Sequence, residues 1–280
     1  MTDPKARIGV MQGRLCPPID GRIQAFPWRD WKLEFERAQQ AGLPFIEWTL
    51  DHERLRQNPL MTPEGRREIL DLARRHHVRI ASVTGDCFMQ APFWKSRGGA
   101  KQDLVNQLLQ VCTAAAHLGA LLVVVPLVDA GKIENHAQED DVVNTLSAVV
   151  PQLATTIAFE MDFAPFDVSR FIKRLPASRF GVNFDIGNSA AMGFDPVAEI
   201  AGYGSRIVNV HVKDRQLGGT TVPLGTGAAD LPGAIRRLER SGYRGNYVLQ
   251  TARAADGDDV AAAIRYRDMT ARWIAAGAAT

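Results

Sequence analysis

The sequence predicts a closed barrel of eight parallel strands, each followed by a helix. Short runs rich in branched apolar residues alternate with longer helical patterns, and this alternation occurs eight times along the chain. The run LLVVVP is apolar without alternation, which is typical of a parallel strand covered on both faces. The last four predicted strands each end on a side chain that can bind a metal, and in such a barrel these side chains meet at one mouth.

The predicted elements divide the whole chain into eight units. The strands are predicted at 8–11, 45–48, 79–84, 121–126, 156–160, 180–185, 207–212 and 246–250. The helices are predicted at 28–41, 63–76, 101–118, 140–153, 167–175, 196–203, 231–241 and 258–276. Gly42, Gly119 and Gly242 follow helical stretches directly, as left-handed helix caps do. No proline-rich or low-complexity segment divides the chain, so residues 1–280 are predicted to form one domain.

An open, doubly wound sheet would also give alternating strands and helices. That architecture would bind its ligand at a topological switch point. However, no G-x-G-x-x-G follows the first predicted strand, and the polar strand ends are spread over many units. The sequence therefore favours the barrel.

The composition narrows the class of protein. The formal net charge of +2 argues against a nucleic-acid-binding surface, which needs concentrated basic residues. Cys16, Cys87 and Cys112 are widely scattered, which indicates neither a disulfide framework nor a zinc knuckle and favours a reducing cytoplasm. The N-terminus lacks the apolar core of a signal peptide, and no later run approaches the roughly 20 apolar residues of a membrane span. Neither export nor membrane insertion is expected.

The four polar strand ends offer carboxylate, imidazole and amide ligands. They are Glu160, Asp185, His211 and Gln250. A single acidic residue at a strand end is often only a helix cap, and Asp185 before Gly187 fits that alternative. Four such residues at one mouth favour a metal site. The stretch HVKDR continues from the seventh strand, so alternation places His211 and Lys213 on one face.

Motifs along the whole chain resemble the xylose-isomerase-like TIM barrels, a family that includes sugar-phosphate isomerases and epimerases. The matching stretches are IGVMQGRL, FIEW, ASVTGDC, the Glu of IAFEMDF, NFDIGNSAAMGFDP, NVHVKDR and VPLGTGAADLPGAIRRLERSGYRGNYVLQ. The resemblance implies a divalent-metal enzyme that acts on carbohydrates. It also implies that Glu160, Asp185, His211 and the residue at position 250 hold the ion. Manganese is the expected ion, with cobalt, magnesium and zinc as alternatives.

The chain departs from that family at two positions. Gln250 stands where the family has a second glutamate, and an amide can coordinate through its oxygen but cannot accept a proton at neutral pH. Glu160 is therefore the expected base. Asn188 stands where the family's D-x-G motif is usually completed by histidine, and asparagine can hydrogen-bond a sugar hydroxyl but does not titrate near neutrality.

Several basic side chains are predicted around the same opening, where they would suit a phosphorylated or acidic sugar. They are Arg14, Lys213, Arg215 and Arg253, and Arg14 and Arg215 are the preferred pair. Their simpler reading is solvent exposure, or pairing with Asp214 and Glu47. Glu47 and Asn188 are also expected to contact the substrate.

Two further features have both a functional and a structural reading. Gly225 and Gly227 in the loop VPLGTGAAD could cradle a phosphate with their backbone N–H groups, but tight-turn geometry explains them equally well. Trp48, Phe93 and Trp94 are candidates for an apolar wall against a sugar ring, and core packing is their simpler reading.

The expected function is isomerisation or epimerisation of a carbohydrate by proton transfer through a metal-stabilised enediolate. A sugar or polyol dehydratase is the nearest alternative, since the same enolate can expel a hydroxyl. A non-catalytic sugar-binding barrel is the second, because Gln250 and Asn188 remove titratable groups. A DNA-repair endonuclease of the wider fold group would need more histidines at the strand ends. Expected partners are a small carbohydrate and, from the family, a second copy of the chain.

Overall fold

The computed structural model describes residues 3–19 and 21–278, and eight parallel strands in them close into a barrel. The barrel strands are β1 (Ile8–Met11), β2 (Phe45–Thr49), β3 (Arg79–Thr84), β4 (Leu122–Leu127), β5 (Thr156–Met161), β6 (Phe180–Asp185), β7 (Ile207–Val212) and β10 (Asn246–Leu249). Around the barrel their order is β1, β10, β7, β6, β5, β4, β3 and β2. The predicted fold class is confirmed, and every predicted strand lies within one residue of an observed one.

Helices follow each of these strands. They are α1 (Leu33–Gln40), α2 (Pro63–His76), α3 (Asp86–Gln90), α4 (Gly98–His117), α5 (His136–Val149), α6 (Pro165–Lys173), α7 (Ile186–Ala191), α8 (Pro196–Tyr203), α9 (Leu231–Arg240) and α10 (Asp259–Ala278). Residues Trp28 to Lys32 form turns, so α1 is shorter than the predicted helix. Two short helices, α3 and α7, and the hairpin of β8 (Asp214–Arg215) and β9 (Thr221–Val222) were not predicted.

Local signals in the sequence fix where the helices begin and end. Thr62 caps α2 by accepting a hydrogen bond from the Gly65 N–H, with Pro63 in the first turn. Gly42, Gly119 and Gly242 all adopt positive φ after their helices, as predicted. Of the described helices, none combines the length and apolar character needed to cross a bilayer.

The barrel interior is apolar at its lower end and polar toward the mouth. Met11, Phe45, Ala81 and Val248 form one internal cluster. Gly9 is required beside them, because a Cβ there would lie 2.1 Å from the Phe45 ring. Farther along the strands the inward positions become polar, and this change defines the floor of the candidate site.

Candidate active site

Glu160, Asp185 and His211 converge at the mouth, near the ends of β5, β6 and β7. Each offers one ligand atom, and these atoms all lie within 4.8 Å of one another. His211 Nδ1 lies 3.1 Å from Glu160 Oε2 and 3.8 Å from Asp185 Oδ2. All three side chains are buried. Two carboxylates and one imidazole facing a common point suit a divalent cation, so the residues fit the metal that the sequence predicts.

Glu47 reaches His211 from the opposite side of the imidazole ring. Its Oε1 lies 2.7 Å from His211 Nε2, while Ser82 Oγ and Asn209 Nδ2 donate to its Oε2 at 2.6 and 3.0 Å. The Glu47 side chain is fully buried, and the substrate contact predicted for it stays a prediction. In the structure its carboxylate fixes the ring and leaves Nδ1 facing the cluster, which is how buried carboxylates orient metal-binding histidines.

The charges in this cluster control its protonation. Burial opposes a charge on the His211 imidazole, but the Glu47 carboxylate and the hydrogen bonds of the cluster hold the His211 pKa well above its ordinary value. Burial also opposes ionisation of Asp185, yet Lys213 and His211 hold the pKa of that carboxyl below its usual range. A cation bound at Nδ1 must therefore displace a proton from His211.

Gln250 follows β10 directly and borders the cluster. Its Oε1 accepts a hydrogen bond from Lys213 Nζ at 3.1 Å, and the same ammonium donates to Asp185 Oδ2 at 3.1 Å. Its Nε2 donates to Gln24 Oε1 at 2.8 Å. The amide oxygen, which is the atom of Gln250 that can bind a metal ion, thus faces the cluster.

The D-x-G-N stretch after β6 ties the cluster to α7. Asp185 caps this helix by accepting a hydrogen bond from the Asn188 N–H at 2.8 Å, so the helix-cap reading and the cluster reading are both correct. Asn188 Nδ2 donates to Glu160 Oε1 at 2.7 Å, and Arg215 Nη1 donates to Asn188 Oδ1 at 2.9 Å. Gly187 is required here because a Cβ would lie 2.9 Å from the carbonyl oxygen of Lys213.

A cavity of about 540 Å³ reaches Glu160 of the cluster. Glu160, Asn188 and Gln250 line it together with three of the predicted cations, which are Arg14, Lys213 and Arg215. Burial and the neighbouring Arg253 lower the pKa of Arg14 to about 10, so it remains a cation at neutral pH. Arg253 is not among the lining residues, because its guanidinium donates to the backbone carbonyls of Cys16 and Gly13.

The glycine loop after the hairpin is already occupied by a carboxylate of the chain itself. Asp214 is fully buried and accepts hydrogen bonds from the N–H groups of Gly225, Gly227 and Ala229 at 2.8, 2.9 and 3.1 Å. The structural reading of this loop is correct, and its use as a phosphate cradle is not supported.

The predicted aromatic wall is also absent from the residues that line this cavity. Trp48 is buried and donates to Asn58 Oδ1, and Trp94 is buried and donates to the Gly131 carbonyl. Phe93 is buried and packs edge-on against Trp94. The apolar part of the wall comes from smaller side chains, which are Ile23, Met89, Pro126, Val128 and Met192.

Five polar residues of the site were missed at the sequence level. Three lie on inward strand positions, and they are Ser82, Asn183 and Asn209. Asn183 and Asn209 lie two residues before Asp185 and His211, so strand alternation places them inward and could have identified them. The other two, Gln24 and Asp86, lie in a loop and in α3, where no periodic pattern marks them.

The sequence profile of the family described as xylose isomerase-like TIM barrel matches residues 35–269. The chain therefore belongs to this family.

Two curated relatives match over shorter stretches. The rhizopine catabolism protein MocC of Rhizobium meliloti is 36% identical over 91 residues, which are 26% of this chain and 28% of MocC. The L-ribulose-5-phosphate 3-epimerase UlaE of Shigella boydii is 36% identical over 95 residues, which are 33% of this chain and 34% of UlaE. The chain thus spans about a third of the length of these relatives.

Solved structures share the fold at low sequence identity. A xylose isomerase-like TIM barrel protein from Mycobacterium smegmatis, in complex with magnesium, superposes with a TM-score of 0.72 at 15% identity and covers 100% of both chains. The IOLI protein with a bound zinc atom superposes with a TM-score of 0.71 at 16% identity, covering 96% of this chain and 98% of that one. At such identities the likeness establishes the architecture alone.

Proposed function

We propose that the protein is a metal-dependent isomerase or epimerase of a carbohydrate. The observation that carries this proposal is the buried cluster of Glu160, Asp185 and His211, of which Glu160 also lines a cavity of about 540 Å³. That volume accommodates a monosaccharide with an additional charged group. The UlaE match supports a sugar substrate. The cluster supports a divalent ion, and we propose manganese ahead of cobalt, magnesium and zinc.

Each side chain of the site has a distinct task in this proposal. Glu160, Asp185 and His211 would hold a divalent ion, and that ion would polarise the substrate carbonyl and its neighbouring hydroxyl and so favour loss of the proton from the adjacent carbon. Glu160 takes that proton as the general base. Asn188 and Asn183 each donate a hydrogen bond to Glu160 and hold its two oxygens in fixed positions. Gln250 completes or borders the ligand shell through its amide oxygen.

The cations of the cavity wall are proposed to select an anionic substrate. Lys213 and Arg215 follow β7 and lie beside Asn188, while Arg14 reaches the cavity from the loop after β1. Arg215 already donates two hydrogen bonds to the Gly219 carbonyl and one to Asn188. Its guanidinium is therefore held in place before any ligand arrives, which lowers the entropic cost of binding a phosphate or carboxylate. The three buried free cysteines fit the cytoplasmic location proposed for such an enzyme.

The test is calorimetric titration of manganese, cobalt, magnesium and zinc into protein stripped with a chelator. We expect one ion per chain and the release of a proton from His211, detected in buffers of different ionisation enthalpy. The double variant Asp185→Asn, His211→Ala should lose this binding, while the exposed control Glu64→Gln should keep it. Equal binding by the double variant would place the ion elsewhere and end the proposal.

The activity arm uses Glu160→Gln, which keeps the shape of the side chain but removes its basicity. The probes are L-ribulose 5-phosphate and its C3 epimer, with deuterium incorporation at C3 followed in D₂O. Turnover, and exchange of the C3 proton that faces Glu160, should fall on the order of 10²–10⁴-fold, the usual contribution of one acid–base group. A fully active Glu160→Gln protein would contradict the assigned role, and loss of a hydroxyl from the probe would identify a dehydratase.

A further inference from the structure

Asp86 is a buried carboxylate in the cavity wall that the proposed function does not use. It is the first residue of α3 and lies two positions after β3. Its side chain is 8% exposed and lines the same cavity as Glu160. Gly85 permits this tight turn, because a Cβ there would lie 2.5 Å from the Phe88 ring and 3.0 Å from the Val124 carbonyl oxygen.

The ring of strands places Asp86 across the barrel mouth from His211. In the closed barrel, β3 lies four strands from β7 in either direction, so the ends of these two strands are diametrically opposed. Glu160 and Asp86 therefore belong to different walls of one cavity, a quarter of the ring apart. A sugar held between these walls would meet the two carboxyl groups from different sides of the cavity.

Asp86 is also connected to the position where the family keeps its second proton-transfer carboxylate. Lys213 Nζ donates to Gln250 Oε1 at 3.1 Å, and Gln250 Nε2 donates to Gln24 Oε1 at 2.8 Å. Gln24 Nε2 then donates to Asp86 Oδ2 at 2.6 Å. Two side-chain amides thus separate the Lys213 ammonium from a carboxyl group, and Gln24 holds one oxygen of Asp86 in place.

The surroundings of Asp86 suit proton exchange near neutrality. Burial raises the pKa of Asp86 to about 7, against the opposing effect of the Gln24 hydrogen bond. The neighbouring carboxylates Asp51 and Glu160 also raise it. A group with this pKa can both donate and accept a proton at the pH of the cell.

We infer that Asp86 is the second acid–base residue of the proposed reaction, which makes the protein a two-base epimerase rather than a one-base isomerase. The inference rests on the proposed function. Gln250 cannot transfer a proton, and Asp86 supplies the missing carboxyl group from another wall of the same cavity.

The proton balance of the reaction is complete with these two residues. The Glu160 carboxylate removes the proton from the carbon next to the carbonyl, and the C–H electron pair forms the C=C bond of the enediolate while the carbonyl oxygen takes the negative charge. The Asp86 carboxylic acid then donates its proton to the opposite face of that carbon as the carbonyl re-forms. Glu160 ends protonated and Asp86 ends ionised, and exchange with water resets both. The reverse reaction exchanges their roles.

Deuterium exchange in D₂O distinguishes a two-base reaction from a one-base reaction, with L-ribulose 5-phosphate and its C3 epimer as separate probes. Wild-type protein should exchange the C3 proton of both. Asp86→Asn should still exchange the C3 proton of one epimer, the one whose C3 proton faces Glu160. It should lose exchange with the other epimer and interconvert the two on the order of 10²–10⁴-fold more slowly. Glu160→Gln should show the opposite pattern, which a merely structural defect in either variant would not produce.

Asp51→Asn is the matched control, because Asp51 is a buried carboxylate near Asp86 that accepts hydrogen bonds from the Phe26 N–H and from Gln90. It should leave the exchange pattern unchanged. Metal titration of Asp86→Asn verifies that this variant is folded. If Asp86→Asn does not fold, Asp86→Glu, which keeps a carboxyl group, is used in its place. Interconversion at the wild-type rate in Asp86→Asn overturns the inference and leaves the proposed function standing. If wild-type protein exchanges no proton of either probe, the proposed function fails and the inference fails with it.

Discussion

The two sides of the barrel mouth are built differently. On the side of β5, β6 and β7, which we call the strand-borne side, the cluster residues lie on the last or next-to-last position of a strand, where the sheet fixes the backbone. On the side of β1 and β3, which we call the loop-borne side, Gln24 lies in a loop and Asp86 lies in a five-residue helix. Strand ends place ligands within the narrow limits that metal binding needs, whereas loop residues can adjust to a substrate.

Glu47 connects the two sides. It belongs to β2 but pairs with His211 on β7, so the barrel interior carries an ion pair from one side to the other. Asn209 bonds both Glu47 and Asn183, and Asn183 bonds Glu160. The strand-borne cluster is therefore supported from below by a layer of polar side chains on strands, to which Ser82 of β3 also belongs.

The largest expected effect comes from breaking that connection with His211→Ala. The variant leaves the fully buried Glu47 carboxylate without its cationic partner, which should lower the free energy of unfolding by about 3–5 kcal/mol. Urea unfolding of the metal-free protein at neutral pH measures this loss. The double variant Glu47→Gln, His211→Ala removes the unpaired charge and should recover part of it. If the single and double variants are equally stable, the ion pair does not link the two sides.

The same contrast explains what the sequence could and could not predict. Glu160, Asp185 and His211 were identified because strand ends converge in a barrel, a rule that needs only the position of each strand. Glu47 was predicted as a site residue, but its pairing with His211 was not, since that pairing depends on distances across the barrel. Gln24 and Asp86 follow no period, and their places depend on how two loops pack. The glycines of the loop after β9 suggested a phosphate site, but the N–H groups of that loop donate to the Asp214 carboxylate instead.

A smaller effect should appear in the pH dependence of stability on the loop-borne side. Burial raises the pKa of Asp86 to about 7 from an ordinary 3.8, so the folded protein holds a proton that the unfolded chain releases between about pH 4 and 7. Stability must fall as pH rises through this window, and the full penalty applies above pH 7. Asp86→Asn removes the penalty, so the variant should match wild type near pH 4 and exceed it above pH 7 by on the order of 2–4 kcal/mol.

Thermal unfolding of both proteins across this range, analysed as a difference, cancels the contributions of Asp185 and His211 that the two proteins share. A constant difference from pH 4 to 8 would mean that Asp86 ionises normally. It would then belong with the solvated carboxylates of the surface and not with the buried wall of the cavity.

The smallest effect tests the boundary between the two sides, at Gln250. The amide oxygen of Gln250 faces the cluster, and its amide nitrogen donates to Gln24. Gln250→Glu adds a negative charge at that oxygen and should tighten metal binding about tenfold, or ~1.4 kcal/mol, comparable to one charge-assisted hydrogen bond. Gln90→Glu adds the same charge to the cavity from α3 and is the control, since the Gln90 amide bonds Asp51 and the His52 N–H, and it should leave metal affinity nearly unchanged. An equal gain in both variants would reflect the general field of the cavity, whereas a gain confined to Gln250→Glu places position 250 in the ligand shell. Because the glutamate also loses the hydrogen bond to Gln24, the same variant should release the loop-borne side from the cluster while strengthening the strand-borne one.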